Sequence, residues 1–243
     1  MSELDIKIKT AIRVLQMAEK QAELSGEPIE IAYSGGKDSD VLLQLAKESG
    51  INYKAYYKCT TIDPPGTLQH VKENDVTILH PKQNFFDLIK KKGFPSFRFR
   101  FCCQVLKEYK ILNTACWGVR ADESVKRKAR YKEFNFCRIY GKKENKVNVF
   151  IPLKDFTVKD IKDFVISRKL KLAECHYDES GNIDFNRRLG CMGCPLKSDR
   201  GIADFKSNTR LLKAWINAGK IYYSNHYYNV LFFILSRYNK NIF

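Results

Sequence analysis

The stretch Pro28-Ile-Glu-Ile-Ala-Tyr-Ser-Gly-Gly-Lys-Asp-Ser-Asp-Val41 decides the fold of this 243-residue chain. A short apolar strand, Ile29–Ala32, breaks into the polar run Ser34–Ser39, and the chain then continues as a helix. The paired glycines Gly35 and Gly36 let the backbone adopt φ > 0 and bring its N–H groups close to a ligand. The start of the helix adds unpaired N–H donors and the positive end of its dipole. The stretch therefore predicts a phosphate-binding loop.

The side chains of this loop suit phosphate groups. Ser34 and Ser39 supply hydroxyl donors, and Lys37 is a mobile cation for phosphate oxygens. Asp38 offers a carboxylate to Mg²⁺, which prefers one or two carboxylates together with phosphate oxygens. A Gly-Gly pair after a strand can also be only a turn. The run resembles the PP-loop, SGGKDS, of ATP pyrophosphatases, and this resemblance implies that the loop binds the pyrophosphate of ATP.

Composition and hydropathy limit the classes of protein to which this chain can belong. Hydrophobic residues make up 44% of the sequence, enough for a substantial core. Met1–Lys20 lacks the pattern of a signal peptide and predicts an amphipathic helix with Ile8, Ile12 and Leu15 on one face. No apolar run approaches the ~20 residues that a membrane helix needs. We therefore expect a cytoplasmic protein that does not span a membrane.

The chain is strongly basic, with 43 Lys and Arg against 27 Asp and Glu, a formal net charge of +16. Such a balance favours polyanionic partners or substrates. Two plainer explanations stay open: a solvated surface of mixed charge, or a basic pocket for a nucleotide. A basic, aromatic tail would suit a nucleic-acid acceptor, but its composition is more typical of an ordinary helix that packs its aromatic face. Its members are Lys220, Tyr222, Tyr223, His226, Tyr227, Tyr228 and Arg237.

Strand and helix signals alternate along most of the sequence. The expected strands are Ile29–Ala32, Asn52–Tyr57, Val76–Leu79, Ala115–Val119 and Val147–Leu153. The expected helices are one that follows the loop and ends at Gly50, then Leu68–Glu73, Phe85–Lys91 and Thr157–Arg168, the last capped by Thr157. Alternation predicts an α/β, Rossmann-like fold, a parallel twisted sheet with helices on both faces. We expect residues 1–196 to form this domain and residues 197–243 to form a helical tail packed on it.

The eight cysteines predict metal or cluster binding, because the cytosol keeps thiols reduced. Cys191 and Cys194 form a CxxC pair, which is typical of zinc knuckles, redox motifs and iron–sulfur sites. Cys102 and Cys103 are adjacent, so their side chains diverge, and a cluster with several iron atoms eases that geometry. The other four have no ligand-like spacing and are interpreted as core or incidental residues, the pair Cys175-His176 included. They are Cys59, Cys116, Cys137 and Cys175.

Five separate motifs between Ile29 and Leu196 resemble the phosphoadenylyl sulfate (PAPS) reductase family. They are the Ser34–Ser39 loop, Thr60-Thr-Ile-Asp-Pro-Pro65, Gly118-Val-Arg-Ala-Asp-Glu-Ser124 with Arg127 and Arg130 beyond it, Phe101-Cys-Cys103 with Leu106-Lys107, and Tyr177–Gly181 with Arg188-Leu-Gly-Cys-Met-Gly-Cys-Pro195. The cysteine pattern is similar to that of adenylyl-sulfate (APS) reductases. This resemblance implies that Cys102, Cys103, Cys191 and Cys194 bind a [4Fe-4S] cluster, with zinc as the alternative. It also implies nucleotide binding by Thr61, Asp63, Arg120, Arg127 and Arg130.

Two departures from the reductases favour ATP over APS or PAPS. Reductases of this family use a cysteine near the C-terminus as nucleophile, and no cysteine follows Cys194 in this sequence. Their loop usually lacks lysine, whereas this chain retains Lys37. A cation is needed where charge builds as pyrophosphate leaves. We therefore predict that Lys37, Asp38 and Arg120 act in catalysis.

The predicted function is adenylyl transfer from ATP with release of pyrophosphate, coupled to [4Fe-4S]-dependent sulfur transfer. The acceptor can be a nucleic acid, and the sulfur can come from a donor protein. The alternatives are an APS or PAPS reductase whose thiol comes from Cys175 or from a partner, and an inactive nucleotide-binding regulator. The intact loop argues against the regulator. The sequence leaves the acceptor undetermined and a homodimer open.

Overall fold

The fold is described from a computed structural model that covers residues 2–199 and 201–238, with side chains as far as residue 226. The strands are β1 (Ile29–Tyr33), β2 (Tyr53–Lys58), β3 (Thr77–Leu79), β4 (Thr114–Trp117), β5 (Asn135–Ile139) and β6 (Lys146–Phe150). The helices are α1 (Glu3–Glu23), α2 (Lys37–Ser49), α3 (Thr67–Glu73), α4 (Phe85–Lys92), α5 (Phe101–Leu106), α6 (Val125–Arg130), α7 (Val158–Ser167), α8 (Ile202–Ser207) and α9 (Thr209–Tyr238). Short 3-10 turns cover Ala121–Glu123 and Glu174–His176.

The six strands form one sheet in the order β3-β2-β1-β4-β6-β5. Every neighbouring pair is parallel except β5 and β6, which run antiparallel. The predicted α/β class with a mainly parallel sheet is therefore confirmed. The chain builds outward from β1 to β3 on one side and then returns to add β4 beside β1. Strand order thus reverses between β1 and β4.

The described chain packs into two compact units. The first unit holds residues 1–59, 63–80 and 108–189, and the second holds residues 60–62, 81–107 and 190–243. The sheet lies in the first unit, together with α1, α2, α3, α6 and α7. The boundaries between these units differ from the predicted domain boundary between residues 196 and 197. Residues 190–196 belong to the same unit as the tail because they pack with residues 60–62 and 81–107.

The main core of the first unit lies between one face of the sheet and the helices α1, α2 and α7. Ile31 of β1 pairs with Cys116 of β4, and both side chains are fully buried on this face. Leu42 and Leu45 of α2 pack in the same core. Each buried aliphatic side chain of this size stabilises the fold by about 1.5–3 kcal/mol. The opposite face holds a smaller cluster around Val149, with aromatic side chains packed beside it.

The second unit is held by aromatic packing between α4 and α9. The ring of Trp215 lies 4.9 Å from that of Phe85 and 5.3 Å from that of Phe205, measured between centroids. Gly219 lets α9 pack closely against Phe94, because an added Cβ at this position would lie 2.3 Å from Phe94 Cζ.

In the part of the chain that the structure describes, no helix is both long and apolar enough to cross a membrane.

Several predicted elements agree with the structure and others need correction. Thr157 caps α7 by accepting a hydrogen bond from the Asp160 N–H, and Gly50 ends α2 in the left-handed region, both as predicted. The predicted strand over 147–153 is too long, because Ile151 and Leu153 are buried in the turn after β6 rather than in the strand. The edge strand β5 was not predicted, since its exposed positions alternate with half-buried ones.

Candidate functional site

The loop 34–36 lies at the carboxyl end of β1, in the first unit. β2 flanks β1 on one side and β4 on the other, and the residues that follow β4 are 118–120. Ligands of open parallel sheets bind at the carboxyl ends of the strands where the strand order reverses. The loop and the segment 118–120 come from the two strands at that point. This places the predicted phosphate-binding residues where the fold itself offers a crevice.

The first turn of α2 presents N–H groups at this crevice. Gly36 is the N-cap residue and supplies no side-chain cap. Its carbonyl accepts hydrogen bonds from the N–H groups of Ser39, at 2.8 Å, and Asp40, at 3.0 Å. The N–H of Lys37 instead donates to Nε2 of His176 at 3.3 Å. These three N–H groups are thus paired within the protein, while the positive dipole end of this 13-residue helix still favours anions.

Two glycines make this arrangement possible. Gly35 has φ +76°, and an added Cβ would lie 3.2 Å from the side chains of both Leu189 and Thr67. Gly118, after β4, approaches α2 so closely that an added Cβ would lie 3.0 Å from the carbonyl oxygen of Asp38. A side chain at either position would strain or displace the loop. The predicted need for glycine at position 35 is therefore explained by conformation and by space.

Asp38 lies between two cations. Its Oδ1 accepts a hydrogen bond from Nε of Arg120 at 2.6 Å, and its Oδ2 lies 3.4 Å from Nζ of Lys37. Lys37 and Arg120 are both buried, while the Asp38 side chain is about one-fifth exposed. Nζ of Lys37 also donates to the carbonyl of Arg187 at 3.4 Å. The structure thus brings all three predicted catalytic residues together, with a net positive charge.

The two serines of the loop contact each other. Oγ of Ser34 donates to Oγ of Ser39 at 3.2 Å, and Oγ of Ser39 donates to the Gly36 carbonyl at 2.7 Å. Ser39 is buried with only 3% of its surface exposed. Ser39 therefore stabilises the first turn of α2 in this structure, and Ser34 is the more accessible hydroxyl of the pair.

The two outer arginines have different surroundings. Arg127 forms an ion pair with Glu123, and that carboxylate also lies 3.4 Å from Arg188. Arg130 is exposed on α6, with its guanidinium 5.6 Å from the ring centre of Tyr131. Arg127 is therefore tied to the segment that carries Arg120, whereas Arg130 lies on the solvent face of α6.

Thr61 and Asp63 belong to different compact units. Thr61 lies in the second unit with φ +64°, and its hydroxyl accepts a hydrogen bond from the N–H of Phe85 at 2.9 Å. Asp63 lies in the first unit, where its carboxylate accepts a hydrogen bond from the thiol of Cys59 at 3.5 Å. The Thr61 hydroxyl therefore binds the N–H of the first residue of α4.

Sequence reasoning underrated His176, which is 99% buried beside the loop. Its Nε2 accepts the Lys37 N–H, and among the described residues its Nδ1 has no hydrogen-bond partner. Burial, reinforced by the positive charge of Lys37, lowers the pKa of His176 from 6.5 to about 4. The imidazole is therefore neutral near pH 7, with Nε2 as acceptor and Nδ1 carrying the proton. The only sequence signal was its place beside Cys175.

A second polar cluster anchors the start of α2. Asp40 is buried and accepts hydrogen bonds from the Tyr33 hydroxyl and, at 3.0 Å, from Nε2 of His70. Burial raises the pKa of Asp40 above the usual range of a carboxyl group. These contacts join α2 to β1 and α3, so they hold the helix whose first turn forms the loop.

The four predicted metal ligands line one pocket, and that pocket lies wholly within the second unit. Cys102 and Cys103 lie on α5, and Cys191 and Cys194 lie in the segment before α8. The remaining wall is mostly apolar, with Lys107 at its edge. The other lining residues are Thr60, Ile62, Phe85, Pro95, Leu106, Pro195 and Trp215. The tertiary structure therefore brings together two cysteine pairs that are far apart in the sequence.

The turn that carries the CxxC pair is tightly fixed. Gly193 has φ +70°, and an added Cβ would lie 2.6 Å from the ring of Phe205. The N–H of Gly193 donates to the carboxylate of Asp204 at 2.7 Å, and Asp204 also pairs with Lys197 at 2.7 Å. The Cys194 N–H closes the turn by donating to the Cys191 carbonyl at 3.3 Å.

The donor set of this pocket fits a polynuclear centre. A hydrogen bond with Cys103, together with burial, raises the pKa of the Cys102 thiol, and burial raises that of Cys194. Thiols that oppose each other's ionisation become stable thiolates when a metal supplies positive charge. Within residues 2–199 and 201–226, no three His, Cys, Asp or Glu side chains are placed to share one metal ion. A [4Fe-4S] cluster spreads its ligands over several iron atoms and so suits wider spacing.

The remaining cysteines have mixed surroundings. Cys59 and Cys116 are buried, Cys175 is half-buried and Cys137 is exposed on β5. Burial raises the pKa of Cys116, which makes that thiol unreactive. The interpretation of these four as core or incidental residues therefore holds best for Cys59 and Cys116.

Comparison with known families assigns the chain. The model of the phosphoadenosine phosphosulfate reductase domain matches residues 28–197, which is more than half of the sequence. The chain belongs to the PAPS reductase family. The resemblance predicted from the sequence is confirmed, and the match includes the loop, Arg120 and all four pocket cysteines. The helices α8 and α9 lie beyond it.

Similarity to individual proteins is weaker. An uncharacterized protein of Methanocaldococcus jannaschii is 25% identical over 201 residues, covering 77% of this chain and 46% of that protein. This chain therefore spans about half the length of that curated relative. Among solved structures, FMN adenylyltransferase of Candida glabrata gives a TM-score of 0.52 at 17% identity and covers 79% of this chain and 62% of that one. The likeness shows a shared fold.

A further structural match is the U34-tRNA thiolase NcsA from Methanococcus maripaludis, solved with its [4Fe-4S] cluster. It has a TM-score of 0.45 and 16% identity, and the match covers 90% of this chain and 79% of that one. Membership of the PAPS reductase family rests on the domain match instead. The ligand and the reaction are left to be proposed from the site.

Proposed function

We propose that this protein binds ATP at the loop Ser34–Ser39 and transfers its adenylyl group to an acceptor with release of pyrophosphate. The observation that carries the proposal is Lys37, buried at the start of α2 and 3.4 Å from Asp38. A substrate that has already lost pyrophosphate, such as APS, gives this cation no β- or γ-phosphate to bind. ATP offers both groups.

The residues of the loop have separate roles in this proposal. The N–H groups at the start of α2 and the hydroxyl of Ser34 bind phosphate oxygens, as helix N-termini commonly do. Lys37 stabilises the negative charge that develops on the leaving pyrophosphate. Arg120 is held by Asp38 through a 2.6 Å hydrogen bond and by Asp122 through one of 3.3 Å, and its remaining N–H groups are proposed to bind the phosphates. Arg127 adds positive charge when it exchanges Glu123 for a phosphate.

The proposed reaction is a displacement at the α-phosphorus. An acceptor oxygen forms a bond to that phosphorus, and the bond to the oxygen bridging the α- and β-phosphates breaks. Its electron pair leaves with pyrophosphate, while the acceptor releases its proton to water. Mg²⁺ would be held by the carboxylate of Asp38 together with phosphate oxygens. Oδ1 of that carboxylate accepts the hydrogen bond from Arg120, so Asp38 would share its oxygens between the metal and this partner.

Cys102, Cys103, Cys191 and Cys194 are proposed to hold a [4Fe-4S] cluster in the second unit, with zinc as the alternative. Four thiols lining one largely apolar pocket support this assignment. When bound, such a cluster supplies iron that can bind sulfur for transfer to the adenylated acceptor. Lys107 at the pocket edge adds positive charge near the thiolates. A sulfur-donor protein and a reducing, cytoplasmic location complete the proposal.

The decisive experiment incubates the protein in parallel with labelled ATP, APS and PAPS. The expected result is pyrophosphate release from ATP, and no sulfite from APS or PAPS. Lys37→Ala should lower pyrophosphate release by about 1,000-fold, since it removes a charge that acts on the leaving group. Lys47→Ala, an exposed lysine on the same helix, is the matched control and should keep full turnover. Turnover by the Lys37→Ala protein equal to that of the control would refute the role of the loop.

A sulfonucleotide reductase is the second candidate, favoured by the position of one thiol. Cys175 is half-buried in the 3-10 turn Glu174–His176, next to the histidine that contacts the Lys37 N–H. That turn and the loop share the first unit. If the Cys175 thiolate attacked the sulfate sulfur of APS or PAPS, the nucleotide would leave as AMP or its 3′-phosphate. A thiol partner would then form a disulfide with Cys175 and release sulfite. Sulfite release abolished by Cys175→Ser, with ATP inert, would establish this reaction instead.

A further inference from the structure

The segment Lys90–Lys107 of the second unit combines charge and aromaticity in an unusual way. It contains six cationic residues and no acidic one. Within it, the run Phe97-Arg98-Phe99-Arg100 alternates aromatic and basic side chains. Neither the ATP loop nor the cysteine ligands account for this pattern. We call the residues 90–100 the Phe97 surface.

The aromatic side chains of the Phe97 surface are open to solvent. Phe97 is 75% exposed and Phe99 is 53% exposed, although large apolar side chains are normally buried. The neighbouring Arg98 and Arg100 are exposed as well. Exposed aromatic rings beside several cations, with no acidic residue among them, are typical of a binding surface.

The backbone of the turn 96–99 and the ring of Phe99 are held in place. The N–H of Ser96 donates to the Phe99 carbonyl, and the Phe99 N–H donates to Oγ of Ser96, both at 3.1 Å. The ring of Phe99 packs on buried Phe101, with centroids 5.3 Å apart. The turn 96–99 therefore presents Phe97 and Arg98 at its tip with little freedom to lose on binding.

The base of the surface is fixed to α9. Phe94 stacks on Trp215, with ring centroids 5.9 Å apart and planes 12° apart. Gly93 turns the chain after α4 with φ +78°, and an added Cβ there would lie 2.9 Å from the ring of Tyr222. Of the predicted aromatic tail, Tyr222 thus packs inward while Tyr223 is 58% exposed beside Phe94. Tyr227, Tyr228 and Arg237 lie beyond the described side chains.

The Phe97 surface leads directly to the cysteine pocket. Pro95 lines that pocket, and α5, which carries Cys102 and Cys103, begins immediately after Arg100. The carbonyl of Arg100 accepts the Cys103 N–H at 3.1 Å. Exposed Lys107, at the far end of α5, lines the same pocket. A polymer lying on the surface would therefore lie beside the cysteine pocket.

We propose that the Phe97 surface binds single-stranded nucleic acid, with unpaired bases stacked on Phe97 and Phe99 and phosphates paired with Arg98, Arg100, Lys91 and Lys92. The role of this strand as the acceptor for sulfur rests on the proposed function. Its binding to the protein rests on the Phe97 surface alone. Alternating rings and cations match the alternating bases and phosphates of a strand. A duplex hides the faces of its bases, so it cannot use the rings.

The test measures fluorescence anisotropy of a labelled, unstructured RNA of about 12 nucleotides, a length suited to one such surface. A DNA of the same sequence and the RNA duplex are measured in parallel, all without ATP. Binding of either single strand, at least tenfold tighter than the duplex, supports the proposal. Duplex binding of equal strength, or no binding of either strand, overturns it.

Two substitutions separate stacking from charge. Phe97→Ala should weaken single-strand binding by about tenfold, whereas Phe97→Trp should retain it, because stacking on one base is lost only in the first. Arg98→Gln should reduce the slope of log affinity against log salt by about 0.7, the contribution of one phosphate contact. The matched controls are Ile166→Ala, an exposed apolar side chain on α7, and Lys142→Gln, an exposed cation of the first unit. Equal effects at the controls would contradict the assignment.

Competing partners give distinct outcomes. If inorganic polyphosphate displaces the RNA from wild type and Phe97→Ala equally well, the surface recognises charge alone and the proposal fails. If Phe97 instead governs flotation with anionic lipid vesicles while RNA is not bound, the partner is a membrane surface. Loss of strand binding with normal pyrophosphate release from ATP overturns only this inference. Absence of pyrophosphate release with normal strand binding overturns only the proposed ATP reaction.

Discussion

The phosphate-binding loop and the cysteine pocket are built in opposite ways. The loop is a contiguous run, Ser34–Ser39, whose geometry follows from a strand, two glycines and a helix start. The pocket is assembled from residues 60–62, 85–107 and 191–215, so its ligands meet only when the second unit folds. Because its geometry depends on neighbouring residues, the loop can be predicted from the sequence. The pocket depends on packing around Phe85 and Trp215, which no local pattern specifies.

The sharpest test of this contrast removes one ligand of the pocket. Cys194→Ser should abolish the absorbance near ~400 nm that an anaerobically purified [4Fe-4S] protein shows. Cys137→Ser, which alters an exposed cysteine of the first unit, is the control and should keep it. Lys37→Ala should keep it too, since the loop belongs to the other unit. A colourless wild-type protein containing zinc would contradict the iron assignment.

The next test removes a buried cation from the loop site. Arg120→Ala leaves the Asp38 carboxylate without its 2.6 Å partner, so turnover of ATP should fall about 100-fold. The free energy of unfolding should fall by about 3 kcal/mol, as for other broken buried pairs. Arg168→Ala breaks a surface pair with Glu48 and should cost less than 1 kcal/mol. Urea unfolding and pyrophosphate release measure the two effects, and equal losses in both variants would show that the Asp38 pair is unimportant.

Substitutions at two glycines test whether steric contact or backbone conformation determines the geometry of the loop. Gly35→Ala and Gly141→Ala both place alanine at positive φ, which costs about 1 kcal/mol. Only at Gly35 does the new Cβ also meet side chains, at 3.2 Å, whereas Gly141 faces open space. We expect Gly35→Ala to weaken ATP binding about tenfold and Gly141→Ala to leave it unchanged, as measured by calorimetry. If both variants bind ATP normally, the loop is more adaptable than its glycine contacts indicate.

The last expected effect concerns pH. The pKa of His176 is lowered from 6.5 to about 4, chiefly by burial, so the unfolded chain takes up this proton at a higher pH than the folded one. Stability from this group is complete above pH 6.5 and is lost as the pH falls towards 4. His176→Gln keeps an acceptor for the Lys37 N–H and should flatten the dependence of unfolding free energy on pH by up to about 1.4 kcal/mol per unit.

The control for this measurement is the same substitution at His80, which is exposed in the first unit. Urea unfolding at several values between pH 4 and pH 6.5 gives the slopes. An unchanged slope in the His176→Gln protein would show that the imidazole is protonated in the folded state, which its burial beside Lys37 argues against.

Most elements were predictable because they depend on local patterns. The apolar run Ile29–Ala32, the N-cap Thr157 and the terminating Gly50 each act within a few residues, and the structure confirms their roles. β5 was missed because it is an edge strand whose alternate side chains face solvent. The strand over 147–153 was predicted too long, since burial of Ile151 and Leu153 continues into a turn. Hydropathy records burial and does not record hydrogen bonding between strands.

The sequence by itself determined the family, the α/β class and the identity of the loop and its lysine, because these depend on contiguous residues with fixed backbone requirements. Only the tertiary structure decided that Asp38 pairs with Arg120, that His176 accepts the Lys37 N–H, and that Phe85 and Trp215 line the pocket of the four cysteines. It also decided that Phe97 and Phe99 lie on the surface rather than in a core. Such pairings join residues tens of positions apart, and side-chain packing, not local propensity, selects them.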